Sequence, residues 1–362
     1  MGGDHAPVSP VQGAALALQR HPELEVVLVG DRDSVWREIE RHDLHLPEVE
    51  IIHTPEVVEM DDMPVAALRS KKNSSITEAV ELHCRKQVDA IVSAGNTGAQ
   101  IMVSIARLGK LEGVSRPVIG SFIPTLNEKP CLLLDVGANI DCRAMHLFQF
   151  GIMGSIFVEE VLGVEKARVG LLSIGTEEMK GNETTVFAHQ LFKESHLEFL
   201  GNIEGSDLLT GKVDVAVCDG FVGNLILKFG ETFPSFILSK LEASGNGCDP
   251  GSLKKFVGKH LHPDLFGGVP ILGINGVSVV CHGSSSATAI ANAVKVAADM
   301  AEMDINHKIF TQISDIRRFY EMNQYFINLM RRWEDRRSKF QWNPGRLFNW
   351  WFSEKDRGEE ED

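Results

Sequence analysis

The residue best placed to do chemistry is Lys180, within the stretch ARVGLLSIGTEEMKGNE from Ala167 to Glu183. Val169 to Ile174 is a β-branched and leucine-rich run, the kind carried by a strand buried on both faces. It stops at Gly175. Thr176, Glu177, Glu178, Lys180, Gly181, Asn182 and Glu183 follow, and a helical pattern begins around Thr184. This order predicts a loop at the carboxyl end of a strand, with Lys180 beside the free N–H groups of the next helix. Open parallel sheets bind ligands at that edge. A lysine beside such amides suits phosphate or a developing oxyanion. A single loop of this kind is also what any α/β protein builds, with glycine ending a strand and lysine facing water.

Repetition changes the weighing. Ala90 to Val92 ends in Ser93-Ala94-Gly95-Asn96-Thr97-Gly98, and Leu132 to Leu134 ends in Asp135-Val136-Gly137-Ala138-Asn139. Val213 to Val217 ends in Cys218-Asp219-Gly220-Phe221-Val222-Gly223-Asn224, and Val277 to Val280 in Cys281-His282-Gly283-Ser284-Ser285-Ser286. Most of these tips pass into a helical pattern. Strands alternating with helices predict an α/β protein with a doubly wound, mostly parallel sheet. In such a sheet the five tips, at Ser93, Asp135, Gly175, Asp219 and His282, are expected to share one rim.

The inventory lacks ordinary nucleophile motifs. There is no G-x-S-x-G elbow, no P-loop, no H-E-x-x-H and no Rossmann G-x-G-x-x-G. Carboxylates are scattered, His282 has no ligand-type neighbours in sequence, and neither metal nor cofactor is expected. What remains is a set of anion-binding donors: Lys180, the amides of Asn96, Asn139, Asn182 and Asn224, and the hydroxyls of Ser93, Thr97 and Ser284. Such a set suits a reaction whose substrate is itself the nucleophile, for example inorganic phosphate, with the protein supplying position and charge.

The remaining segments bound the class. At 362 residues, 43% hydrophobic and 24% charged, the chain has the composition of a soluble globular protein with a large core. Lys and Arg number 36 against 50 Asp and Glu, a net charge of −14, which argues against nucleic acid as a partner. The six cysteines show no C-x-x-C spacing. With no signal peptide and no apolar run near the roughly 18 residues of a membrane span, a reduced, cytosolic protein is expected. The opening turn MGGDHAP stands without the strand such a turn usually trails, so either a short first strand is lacking or the chain starts later than its relatives. Pro55 to Lys72 reads as charged and irregular.

Seven blocks in order, MGGDHAP, KKNSS, SAGNTGA, LDVGAN, GTEEMKGNE, DGFVGN and CHGSS, spread over roughly the first 300 residues. Together they closely resemble the bacterial phosphate acyltransferase of phospholipid synthesis, the PlsX family. The resemblance implies transfer of a fatty acyl group from acyl carrier protein to inorganic phosphate, giving acyl phosphate. It also implies a fold similar to the isocitrate and isopropylmalate dehydrogenases and the phosphotransacetylases, a homodimer, and peripheral contact with membrane lipid or with the downstream membrane acyltransferase at the inner membrane face. The family's catalytic lysine and asparagine fall on Lys180 and Asn224. The phosphate pocket is then expected from Ser93, Asn96, Thr97, Gly98, Asn139, Gly175, Glu177, Asn182, Asp219, Gly223, His282, Gly283 and Ser284. His282 reads equally as an acid for the departing thiolate and as a structural cap. Asp135 and Asp219 read as holders of loop amides. Rival readings are a phosphotransacetylase-type enzyme using acyl-coenzyme A and a non-catalytic carrier-binding module.

Residues 1–303 are read as the acyltransferase domain, interrupted at 225–269 by a helical hairpin for dimer or membrane contact. In that hairpin Phe233, Phe236, Ile237, Leu241, Phe256, Val257 and Leu261 form an apolar face, with Lys254, Lys255 and Lys259 beside it. Residues 304–362 read as a helical, aromatic and basic extension. Arg317 to Arg346 carries eight basic residues against three acidic ones, and Trp333, Trp342, Trp350 and Trp351 lie beyond Met322. That composition suits packing onto the body, an anionic membrane interface, or the carrier protein.

Overall fold

The computed structural model describes residues 1–46, 49–127, 129–244 and 267–322. The chain divides into two units, Met1–Ile309 and Phe310–Asp362. The first opens with α1 (Val8–Arg20), β1 (Val27–Gly30), α2 (Arg32–Arg41), β2 (Glu50–His53), α3 (Pro64–Ser70), α4 (Ser75–Cys84) and β3 (Ile91–Ser93). It continues with α5 (Thr97–Leu108), β4 (Val118–Ile123), β5 (Cys131–Leu134), α6 (Ala144–Val161), β6 (Arg168–Leu172), α7 (Glu183–Lys193) and β7 (Glu198–Ile203). Then come β8 (Val215–Val217), α8 (Gly220–Ser244), β9 (Val269–Leu272), β10 (Ser278–Val280) and the helix Ala287–Glu302. A last helix, Ile305–Met322, continues into the second unit.

Local sequence accounts for most of these boundaries. Asp31, Ser74, Asn96, Asn182 and Ser286 each cap a helix by accepting the backbone N–H three residues on. Pro64 occupies the first turn of α3, so the stretch read as irregular contains a short helix. Helix α6 is apolar almost all round and is buried accordingly. Phe148, Phe150, Met153 and Phe157 have no exposed surface, and Phe148 meets Phe192 of α7 edge to face at 5.3 Å.

The strands form a two-stranded sheet, β1-β2, and an eight-stranded sheet in the order β3-β10-β9-β4-β5-β8-β6-β7. β1 and β2 pair parallel, and so do four of the seven neighbouring pairs of the eight-stranded sheet, which is mostly parallel as expected. The other three decide the geometry of the site. β9 is antiparallel to β10 and to β4, and β4 is antiparallel to β5. β3 and β10 therefore run opposite to β5, β8, β6 and β7. The single rim of five tips is corrected: the tips after β5, β6 and β8 leave the sheet at one end, those after β3 and β10 at the other. β9, with Pro270 paired to Val279, begins where the stretch read as the hairpin ends and is antiparallel to both its neighbours, so the reversal between the two groups of tips lies at the β4–β5 pairing.

Of the expected hairpin, the first arm is the outer part of α8, one helix of 25 residues that begins inside the site. Phe256, Val257, Leu261 and the lysines beside them lie outside the described residues, as do the four tryptophans of the extension.

At the amino end of the strands, Arg168 opens β6 and grips Asp214 just before β8. Asp214 Oδ2 accepts from Arg168 N and Nε at 2.9 Å each, and Oδ1 accepts from Nη2 at 2.8 Å. Burial pushes the Asp214 carboxyl up, but the Arg168 hydrogen bonds and charge outweigh it and hold the group below its ordinary range. Stability from a depressed carboxylate is present above the unfolded value, about 3.9, and is lost as pH falls through the folded one. Arg168→Met is therefore expected to lower stability by about 2 kcal/mol at pH 7, the cost of an unpartnered, nearly buried charge. In urea titrations the gap between variant and parent should close as pH falls to about 3. A gap independent of pH would mean lost packing, not the ion pair.

Candidate active site

Three loops leave the same end of the sheet after β5, β6 and β8. The first is knotted by Asp135, which is fully buried. Its Oδ1 accepts from Gly137 N at 3.2 Å and Ala138 N at 3.1 Å. Oδ2 accepts from Asn139 N at 2.6 Å and Asn139 Nδ2 at 2.8 Å. Burial pushes the Asp135 carboxyl above its ordinary range, and these four donors pull it back. Asp135 therefore holds loop amides, as its place at a strand end suggests.

The second loop is laced to the first. Cys218 N donates to Leu134 O at 2.6 Å, Asp135 N to Cys218 O at 3.0 Å, and Gly220 N to Asn139 O at 2.8 Å. Asp219 caps α8 by accepting Val222 N at 2.8 Å. The contact is so close that a Cβ on Gly223 would stand 1.8 Å from Asp135 O, and one on Gly220 would stand 2.7 Å from Asn139 O. Real Cβ atoms do not approach oxygen so closely, so only glycine fits. This packing sets Asn224 against Gly137: a Cβ built there would lie 3.7 Å from Asn224 Oδ1.

The third loop carries Lys180. Because β6 pairs with β8 in register, Leu171 beside Val217, this loop emerges one strand away from Asp219. Lys180 N donates to Glu177 O at 3.0 Å, Ser173 Oγ donates to Lys180 O at 3.0 Å, and Gly181 turns the chain at φ +108. Glu178 of this loop pairs with Lys193 at 2.6 Å. Among the described residues the exposed Lys180 ammonium forms no ion pair. Gly175 lies under the Lys180 stem and the Glu177 carboxylate: a Cβ there would meet Lys180 Cγ at 3.2 Å and Glu177 Oε2 at 2.9 Å.

Asn202 of β7, which sequence reading did not single out, clamps this loop by donating Nδ2 to Glu177 O at 2.8 Å. Its Oδ1 meets Nδ1 of the buried His189 at 2.9 Å. The available signal was a polar residue closing the otherwise apolar strand FLGNI.

The remaining predicted residues lie elsewhere or are differently employed. Ser93, Asn96, Thr97, Gly98, His282, Gly283 and Ser284 belong to the opposite end, where the amino-terminal turn joins them. There Asp4 N donates to Gly283 O at 2.9 Å and Cys281 N to Ser93 O at 2.8 Å. His282 Nδ1 meets Ser284 Oγ at 2.7 Å, and a Cβ on Gly98 would touch Pro64 at 2.5 Å. Three asparagines expected as anion donors have their side chains engaged within the protein. Asn96 Nδ2 faces the carbonyls of Glu59, Met60 and Asp62 at 3.0 to 3.1 Å. Asn139 Nδ2 donates to Pro117 O and Asp135, and Asn182 Oδ1 caps α7 through Thr185 N at 2.9 Å. They shape loops. Lys180 and Asn224, the pair expected to be catalytic, both stand at the β5–β8–β6 end.

Comparison with known proteins places this architecture. A family model described as "Fatty acid synthesis protein" matches residues 1–308. The phosphate acyltransferase of Desulforamulus reducens is 44% identical over 317 residues, covering 84% of this chain and 93% of the relative. That of Pelotomaculum thermopropionicum is 44% identical over 326 residues, covering 87% and 94%. Among solved structures, a phosphotransacetylase from Streptococcus pyogenes superposes with a TM-score of 0.56 at 16% identity, covering 82% of this chain and 91% of that one. The EutD phosphotransacetylase from Staphylococcus aureus gives 0.55 at 15% identity, covering 81% and 91%. These two likenesses establish the fold. Identity over nearly the full length of the curated relatives establishes more: the chain belongs to the phosphate acyltransferase family, enzymes that transfer an acyl group to phosphate.

Proposed function

We propose that the chain transfers a fatty acyl group from acyl carrier protein to inorganic phosphate, releasing acyl phosphate for phospholipid synthesis. The supporting observation is the exposed Lys180 ammonium, without an ion pair among the described residues, on a glycine-turned loop one strand away from the loop that leads to Asn224. A phosphate oxygen attacks the thioester carbonyl carbon and the carbonyl electron pair moves onto oxygen. Lys180 neutralises the phosphate and the new oxyanion, and the Asn224 amide donates to one of them. Collapse of the tetrahedral species breaks the C–S bond, and the departing thiolate takes its proton from solvent. No covalent bond between the acyl group and this chain forms at any stage. The test is to incubate the chain with long-chain acyl carrier protein and phosphate and trap product with hydroxylamine. Thioester loss without hydroxamate would discard the reading.

The same proposal includes a homodimer acting at the cytoplasmic membrane face. Among the described residues no helix is long and apolar enough to cross a membrane. Helix α8 instead exposes Phe221, Leu225, Phe229, Phe233 and Phe236 along one side, a stripe about 22 Å long. Phe229 and Phe233 stack at 5.3 Å, Phe233 and Phe236 at 6.3 Å. Apolar surface of this extent marks an interaction face. Replacing Phe229 and Phe233 together by serine is expected to halve the mass measured by light scattering. Unchanged mass would remove the stripe from the dimer interface.

A further inference from the structure

We propose that Lys110, Arg116 and Arg143 form the landing surface on which the acidic face of the acyl carrier protein docks beside the Lys180 end of the sheet. The inference rests on the proposed use of a carrier-borne donor and adds where that donor is held.

The three cations come from two loops that the fold holds together. Lys110 Nζ donates to Ser115 O at 3.1 Å, which ties it to the residue preceding Arg116. Ser115 N donates to Gln149 Oε1 at 2.8 Å, and Gln149 Nε2 to Gly113 O at 2.9 Å, fastening this loop along α6. Arg143 sits at the start of α6 and donates its N–H to Nδ1 of the buried His146 at 3.1 Å. Burial and then the charges of Arg116, Arg143 and Lys110 push the His146 imidazole down to about 4, so all three fields converge on one ring. Among the described residues neither Lys110 nor Arg116 forms an ion pair.

Position links this patch to the chemistry. β4 runs antiparallel to β5, so Arg116, ahead of β4, lies at the end where Asp135, Asp219 and Lys180 leave the sheet. The connection is short: Pro117 O accepts from Asn139 Nδ2 at 2.8 Å, and Asn139 O accepts from Gly220 N at 2.8 Å, the first residue of α8. The field of Arg116 also reaches Cys142, whose thiol is pushed up to about 12 by burial and by Asp135 and Asp219.

Charge supplies the selection. The chain carries −14, and Asp219, Glu177 and Glu178 lie in the loops of this end, so an acidic protein approaching it is repelled. Glu112 and Asp141 share the two basic loops, so the patch works less by net charge than by its guanidinium forks. Such forks pair bidentately with carboxylates on a partner surface, whereas a small thioester has no acidic face to offer them.

The experiment compares two donors carrying the same acyl group, one on acyl carrier protein and one on pantetheine, with Arg116→Glu and Arg143→Glu each measured against the parent. The ratio of kcat/KM for the carrier donor to that for the pantetheine donor is expected to fall about tenfold in each variant, and its decline with added salt to flatten. An unchanged ratio overturns the proposal. A raised KM for phosphate with a constant ratio also overturns it, and assigns the arginines to phosphate. Failure of the functional reading looks different: the parent chain forms acyl phosphate from neither donor, and the docking surface falls with it.

Discussion

Lys180→Ala is expected to lower acyl-phosphate formation by about 10²- to 10³-fold, the cost of removing one preorganised donor from a developing oxyanion. The side chain is exposed and forms no ion pair among the described residues, and its loop is held by backbone groups and by Asn202. The folded state should therefore lose little, within about 0.5 kcal/mol. Loss of activity with an unchanged urea midpoint separates chemistry from folding. The split between constants carries further information. If the ammonium binds phosphate equally in ground and transition states, KM for phosphate rises and kcat stays. If it acts chiefly on the tetrahedral oxyanion, kcat falls at saturating phosphate. The proposed mechanism requires the second. Near-parental kcat at saturating phosphate would remove Lys180 from the chemical step. Lys180→Arg restores charge but in a larger, planar group, and partial recovery is expected.

That prediction depends on loops whose existence was legible in sequence and whose arrangement was not. Each strand end carried its mark: Gly175 before a polar run, Asp135 followed by a glycine, Asp219 ahead of a helix. Local chemistry writes these marks, since a strand cannot end in a tight polar turn without residues that bond their own backbone. Strand direction is not written locally. β9, antiparallel to both its neighbours, leaves β10 and β4 running the same way, so the sheet reverses between β4 and β5. One clue was available. Seven residues separate Ile123 from Cys131, too few for a parallel crossover, so β4 and β5 had to be antiparallel. Because β3 and β10 run with β4, that reversal puts His282 and Ser93 at the end opposite Lys180.

The asparagines teach a related point. An amide in a sequence is a pair of donors and an acceptor; whether they are spent depends on neighbours far along the chain. Asn96 faces carbonyls 34 to 37 positions away, and Asn139 reaches Pro117 O, 22 positions back. Asn224 differs because it stands exposed on the first turn of α8, with the bare backbone of Gly137 beside it. Sequence can nominate donors, and only packing shows which remain available to a ligand.

Gly223→Ala is expected to cost about 3 kcal/mol of stability and about 10²-fold in activity, although the Gly223 N–H is already spent on Asp219 O at 3.0 Å. The added methyl would stand 1.8 Å from the carbonyl oxygen of Asp135 and 3.1 Å from Cys218 Sγ. Neither neighbour can yield. The Asp135 carbonyl belongs to a loop knotted by its own buried carboxylate, and Cys218 is bonded to β5 on both sides through Leu134 O and Asp135 N. The start of α8 must therefore lift by more than an ångström, carrying Asn224 away from Gly137 and the Lys180 loop. Gly205→Ala is the matched control. It lies in an exposed turn, its Cβ would meet nothing within 4 Å, and it should be neutral or stabilising by about 0.5 kcal/mol through the unfolded chain. Urea titration and hydroxamate assays on the two variants decide the matter. Should Gly223→Ala keep parental turnover while Gly205→Ala behaves as stated, the close seating of α8 on the Asp135 loop does not set the position of Asn224.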